Sequence, residues 1–177
     1  MGEFKRLKRE LAYQGTIMKI YKDYVEVNGH QAIWDFFHHN GGAAVVPVTK
    51  EGKILMVKQY RNAIDRYTLE IPAGAFDAKN ESGEDCVRRE LEEETGYRAG
   101  KVEKLITTRS MVAFSNERVE IFVATELIPS KQNLDEEESI EVEAYTMEEL
   151  KQMIFDGKIE DSKTVAALMA YAVKYQA

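Results

Sequence analysis

Between Leu69 and Tyr97 the chain passes from an apolar run through a proline and a glycine into a polar loop, then into Arg89-Glu90-Leu91-Glu92-Glu93-Glu94-Thr95-Gly96-Tyr97. Few folds accommodate that order. Pro72 cannot donate to a strand ladder and Gly74 frees the backbone, so a strand over residues 68–71 has to stop there. Regular structure resumes as a helix over 84–95, which Gly96 ends. Helical neighbours three and four apart share a face, so Glu90, Glu93 and Glu94 project together while Val87 and Leu91 turn to another side. Three carboxylates on one stripe repel one another unless a cation sits among them. No Cys or His accompanies them, so a hard cation, Mg²⁺ or Mn²⁺, suits the stripe better than zinc. Taken alone, such a helix is more often a solvated acidic face, and the surrounding residues decide between the two.

Around this segment the pattern alternates short strands with a few helices. Residues 24–27 and 32–37 are rich in β-branched and aromatic types, and Asn28-Gly29 between them signals a hairpin. Runs over 43–49 and 53–57, separated by Lys50-Glu51-Gly52, read as a second hairpin leading to Lys58-Gln59-Tyr60-Arg61. Residues 102–109 and 118–125 alternate apolar with polar and should pair. The acidic stretch 135–138 reads as a loop and 140–145 as a strand. Thr146 with Glu149 three residues on forms a capping box for a helix over 146–155. Val165, Leu168, Met169 and Ala172 mark a last helix over 162–175. Strands mixed with helices outside strict βαβ alternation point to an α+β or sandwich arrangement. With 177 residues and 44% hydrophobic content, the chain suffices for one catalytic domain and a small appendage.

Charge and residue usage remove several classes of function. A net charge of -7 repels polyanions, which argues against nucleic acid and anionic membrane as partners. The start of the chain lacks the apolar stretch of a secretory signal, the apolar run over 164–173 is too short to span a bilayer, and no Ser or Thr at position 6 completes a myristoylation pattern. The single cysteine, Cys86, has no intrachain partner and fits a packing role in a reducing cytoplasm. His30, His38 and His39 lie away from the acidic helix, and no G-x-S-x-G turn is present, so neither zinc nor serine-hydrolase chemistry has support.

Gly74, Glu81 and the run Arg89-Glu90-Leu91-x-Glu93-Glu94-x-Gly96-Tyr97 together resemble the signature of the Nudix hydrolases. One departure stands out: six residues separate Gly74 from Glu81 where the signature has five, and Asn80 occupies the position where strict counting would put the acid. This reads as a one-residue insertion in the turn before the helix, where length is tolerated. The resemblance implies an α/β/α sandwich around a mixed sheet over residues 40–177. By the same resemblance, residues 1–39 are expected to form a small β-unit outside it that helps build a homodimer. Glu90 and Glu94 are the leading metal ligands, Glu93 ranks second, and the resemblance adds the Ala73 carbonyl. Arg89 pairs with Glu81 to pin the loop, with Gly74 and Gly96 as structural glycines.

Three further stretches resemble the branch of that family acting on ADP-ribose and similar nucleoside diphosphate sugars. They are Lys58-Gln59-Tyr60-Arg61, Glu70-Ile71-Pro72-Ala73-Gly74 and the tail Gly157-Lys158-Ile159-Glu160-Asp161-Ser162-Lys163-Thr164-Val165. The resemblance implies pyrophosphate-bond hydrolysis of a small nucleotide sugar with Mg²⁺ or Mn²⁺. The resemblance also implies Glu138 as the general base, with Glu136 as the alternative, and Arg61, Glu70 and Glu117 on the substrate side. Val112 stands where a proline is common in that branch, which leaves the identity of the sugar open. Trp34, Phe36 or Phe37 could stack on a base across a dimer, although aromatics in a small β-unit more often form its core. The rival readings are a nucleoside triphosphate pyrophosphohydrolase that sanitises nucleotides and a non-catalytic nucleotide-sensing module.

Overall fold

A computed structural model describes residues 2–16, 18–76, 81–136 and 138–177, so Asn80 and the inserted loop position lie outside the described residues. The chain divides into two compact units, Met1–Gly41 with Arg109–Arg118, and Gly42–Thr108 with Val119–Ala177. Residues 109–118, expected with the second domain, thus cluster with the first unit. In the first unit, strands β1 (Phe4–Gln14), β2 (Lys19–Val27) and β3 (His30–His38) form an antiparallel sheet in the order β1-β2-β3. Of these, β1 was not foreseen, because its charged residues break up any alternation. The predicted Asn28-Gly29 turn is present: both residues have positive φ, 52° and 79°, and Val27 pairs with His30. Asp23 is buried on this sheet, and the Arg9 guanidinium reaches it at 2.6 and 2.5 Å while lying 3.6 Å from the Phe36 ring centre. Hydrogen bonds from Arg9 hold the Asp23 carboxyl below the usual range despite its burial. The segment 109–118 joins this unit through Phe37 N to Phe114 O at 2.7 Å and through the Asn116 amide, which binds both His39 N and His39 O at 3.0 Å.

In the second unit, β4 (Gly42–Pro47) is buried at every residue, as a strand covered on both faces must be. It lies in a four-stranded sheet β7-β4-β9-β8, with β7 at Ala73–Ala75, β8 at Tyr97–Thr108 and β9 at Val119–Pro129. The β4–β9 pairing is parallel and the other two are antiparallel. Alternation along β4 and β9 sorts the core into two layers. Ala43, Val45, Phe122 and Ala124 meet Cys86, Val87 and Leu91 of helix α1 (Gly83–Thr95). Ala44, Val46, Ile121 and Val123 face α2 (Met147–Phe155) and α3 (Ser162–Tyr175), with Leu150, Ala167 and Leu168 at the centre. This is an α/β/α sandwich, as expected.

The strands β5 (Ile54–Arg61), β6 (Arg66–Glu70) and β10 (Ile140–Tyr145) form a second sheet in the order β10-β5-β6. Here the expected hairpin over residues 43–57 is corrected. The Lys50-Glu51-Gly52 turn exists, closed by Thr49 N donating to Lys53 O at 2.8 Å, but beyond the Val48–Ile54 bridge β4 and β5 join different sheets. Each strand is apolar enough to need burial against its own partners, and a turn signal cannot reveal where two strands part.

Leu91 is fully buried on the face of α1 that meets β4 and β9. Leu91→Ala is expected to lower unfolding free energy by about 2–5 kcal/mol, the usual cost of a core leucine with its cavity. Urea denaturation monitored by circular dichroism measures this, and a change below ~1 kcal/mol would mean that the layer repacks.

Candidate active site

Local rules fix the acidic helix at both ends. Ser82 accepts from Asp85 N at 3.0 Å as N-cap, and Gly96 takes a left-handed φ of 71° while its N–H reaches Glu92 O. Between them Glu90 and Glu93 face a cleft of about 290 Å³ that Ala73, Gly74, Asn133, Asp135 and Glu138 complete. At Gly74 a Cβ would overlap the Glu90 carboxylate where it now lies, so a side chain there would push that flexible arm aside. Glu94 lies deeper, at 5% exposure, where Ala73 N donates to its Oε2 at 3.0 Å. Burial, reinforced by the charge of Glu90, pushes its carboxyl up to about 8 in spite of that bond. Arg89 sits against the same acids: Nη1 is 2.5 Å from Glu90 Oε1 and 3.1 Å from Glu93 Oε2, while Nε is 3.2 Å from Glu81 Oε1 and Nη2 3.1 Å from Ala75 O. The expected Arg89–Glu81 pair is therefore part of a wider clamp. Cys86 is buried beneath it with its thiol pushed up to about 12, chiefly by desolvation, consistent with packing.

The loop bearing Glu138 is tied to this helix by its backbone. Asn133 N donates to Glu93 O at 2.9 Å, and the Gln132 amide donates to Glu94 O at 2.7 Å and to Ile140 O at 3.3 Å. Glu138 borders the cleft, and its charge acts on Glu94. Glu136 is exposed and does not border it.

Arg61 and Glu70 belong to an adjoining network. Glu70, at 3% exposure, accepts from Arg61 Nε and Nη2 at 2.7 Å each, from Thr68 Oγ1 at 2.6 Å and from Lys163 Nζ at 2.5 Å. Arg61 also borders a larger recess of about 730 Å³ that includes Tyr67, Lys158 and Asp161, and its charge acts on Glu94. Burial alone would raise the Glu70 carboxyl, yet the bonds and charges of Arg61 and Lys163 outweigh it and hold the group at about 2, below the ordinary 4.5. A depressed acid stabilises the fold fully above its unfolded value, and this contribution disappears as pH falls through the folded value. Stability worth about 3 kcal/mol is thus expected to be lost between about pH 4.5 and 2. Urea midpoints across that range should fall for wild type and flatten for Glu70→Gln, and parallel curves would sink the assignment.

Of the residues picked out from sequence, Ala73, Gly74, Glu90, Glu93 and Glu138 meet in one cleft, with Glu94 directly behind them and Arg61 and Glu70 alongside. Glu117 lies in the first unit, where Ser115 Oγ accepts from its N–H at 3.0 Å and His39 stands 3.7 Å away. Val112 in the same unit is strongly exposed. Sequence reasoning missed Gln132 altogether. Lys163 and Thr164 carry no local signal, because their partners Glu70 and Ile71 lie far away in the chain.

The donor set suits a hard divalent cation, being carboxylates and backbone oxygen around a cleft with almost no apolar lining. A buried carboxyl at about 8 beside a second carboxylate is also a position that a cation would relieve. Among the described residues no three His, Cys, Asp or Glu side chains converge on one metal position, since Arg89 supplies the countercharge to Glu90 and Glu93. Holding a cation would require the Glu90 side chain to leave Arg89.

The sandwich, with its acids on one helix and a second acidic loop beside it, has the architecture of a hydrolase acting at a polar, anion-bearing bond. Residues 38–168 match the NUDIX domain model, and the chain belongs to the Nudix family. It is 39% identical over 176 residues to the ADP-ribose pyrophosphatase of Bacillus subtilis (strain 168), covering 98% of this chain and 92% of that protein. It is also 39% identical over 173 residues to the methanol dehydrogenase activator of Bacillus methanolicus, covering 94% and 91%. A crystal structure of an ADP compounds hydrolase shares the fold with a TM-score of 0.88, at 19% identity, over 98% of this chain and 95% of that one. Enzymes of the family generally need a divalent metal, and no helix among the described residues is long and apolar enough to cross a membrane.

Proposed function

We propose that this chain hydrolyses the pyrophosphate bond of ADP-ribose or a similar nucleoside diphosphate sugar, with Mg²⁺ or Mn²⁺ as cofactor, giving a nucleoside monophosphate and a sugar phosphate. The observation that carries the reading is the meeting of Glu138 with Glu90, Glu93 and Ala73 in one cleft, with Glu94 behind it and Arg61 close enough for its charge to act on Glu94. Glu90, Glu94, Glu93 and the Ala73 carbonyl would hold the cation, which supplies neutralisation of the charge on the diphosphate oxygens. Glu138 takes a proton from the attacking water as its oxygen bonds to phosphorus and the bridging P–O bond breaks. Arg61, steadied by Glu70, meets the anionic substrate with the guanidinium edge turned away from that acid. Arg89 and Glu81 keep the loop on the helix.

The same reading makes the protein a cytoplasmic homodimer. Supporting the dimer are the exposed Phe4, Leu7, Leu11, Ile33 and Trp34 of the first unit, more apolar surface than a small free-standing sheet carries without a partner. Supporting the compartment is the lone buried Cys86.

Purified protein incubated with ADP-ribose and Mg²⁺ or Mn²⁺ should release AMP and ribose 5-phosphate, and EDTA should stop the release. Pyrophosphate released from a nucleoside triphosphate in preference would reverse the substrate class. Tight nucleotide binding without turnover would favour a sensing module.

A further inference from the structure

The tail that resembles the ADP-ribose branch carries no residue of the cleft, yet two of its side chains reach the segment that builds it. Thr164 is fully buried in the first turn of α3. Its hydroxyl accepts from Ile71 N at 3.1 Å and donates to Asp161 Oδ2 at 2.6 Å, the same oxygen that caps the helix by accepting from Thr164 N at 3.0 Å. A buried hydroxyl is costly unless paired, and here the pairing fixes a backbone donor just ahead of Pro72 and Ala73. On the other side of that turn, Ala73 N is held by Glu94, so side chains from α1 and α3 grip one short stretch of chain.

Lys163 makes the second connection. Its side chain is only 16% exposed, and the ammonium lies 2.5 Å from Glu70 Oε2 and 2.9 Å from Asp161 Oδ2. Glu70 in turn receives the Nε and Nη2 of Arg61 side by side, and the planarity of the guanidinium then directs Nη1 away from Glu70. Were this cluster there for stability alone, well-packed apolar residues would serve as well.

We infer that the first turn of α3 is a positioning element for the cleft, with Thr164 setting Ala73 through the Ile71 backbone and Lys163 setting Arg61 through Glu70. The inference rests on the proposed function, because it takes Ala73 as a metal ligand and Arg61 as a substrate contact. Neither Thr164 nor Lys163 touches substrate in this assignment.

Two arms with different readouts test it. Calorimetric titration with Mn²⁺ alone should show Thr164→Val binding at least ~10-fold more weakly than wild type, as losses around metal ligands typically do. Thr164→Ser should restore most of the affinity. Steady-state kinetics on ADP-ribose at saturating metal should show Lys163→Met raising KM by ~10-fold with Mn²⁺ affinity within about twofold of wild type, and Lys163→Arg recovering part of it. If Thr164→Val does not fold, Thr164→Ala takes its place. Lower melting temperatures in both variants, with Mn²⁺ affinity and KM at wild-type values, would overturn the inference and leave a purely structural turn. A wild type that binds Mn²⁺ but leaves ADP-ribose intact sinks the substrate reading instead, since the Thr164 arm reads metal binding without substrate.

Discussion

Glu138→Gln is expected to cut kcat by ~10²–10⁴, the usual loss when a general base is removed, while Mn²⁺ binding stays near the wild-type value. The amide keeps the size and the hydrogen-bonding reach of the acid but cannot take the proton from water. Because the loop is held by Asn133 N and by the Gln132 amide, neither of which involves the Glu138 side chain, the exchange should leave loop and cation site in place. Glu136→Gln supplies the control: it lies on the same loop, exposed and outside the cleft, and is expected to turn over at close to the wild-type rate. A reversed order of the two variants would move the base to Glu136.

Glu94→Gln is expected to act in opposite directions on activity and on stability. An acid whose folded value is raised to about 8 costs the metal-free fold free energy at every pH above its unfolded value. At neutral pH that cost is about 3 kcal/mol. The neutral amide escapes it, so in EDTA the variant should melt at a higher temperature than wild type. Adding Mn²⁺ should invert the order. Wild type gains about 4.1 kcal/mol at a metal concentration a thousandfold above Kd, whereas the variant should gain almost nothing and lose turnover by at least the ~10–100-fold seen when residues supporting a metal are removed. Differential scanning calorimetry with and without metal reads both halves. A variant that is less stable than wild type in EDTA, or that gains the full increment from Mn²⁺, would show that Glu94 serves packing and not the cation. The trade is a familiar one, in which a working site retains strain that a neutral substitute relieves.

The acidic helix was legible because its determinants are local. Helical spacing puts Glu90, Glu93 and Glu94 on one stripe, with Leu91 beside Glu94 on its buried flank, and Gly96 can end the helix without a partner elsewhere. The Asn28-Gly29 turn and the Thr146–Glu149 capping box were readable for the same reason, and both are present. The division of strands between sheets was not legible. Whether β4 stays with β5 or leaves for β9 depends on residues far along the chain, and the turn between them is the same in either case. The first strand escaped notice because Lys5, Arg6, Lys8, Arg9 and Glu10 give it the look of a charged tail, and its order comes from pairing with β2. In the site, the acids that line the cleft were visible as a spaced pattern. Lys163 and Thr164 were not, since a lysine and a threonine at a helix start look like any surface turn until the fold brings Glu70 and Ile71 against them.

The parallel pairing of β4 with β9 sets Gly42 beside Val119, and the whole acidic segment lies between the two in the chain. A nascent polypeptide therefore exposes Leu91 and Val87 well before the strand that completes their apolar seat has been made. Contacts between such distant residues close slowly. The cleft is expected to arise in one late step of folding, when β9 slots in beside β4, and fragments released earlier should carry every acid of the signature and none of its geometry.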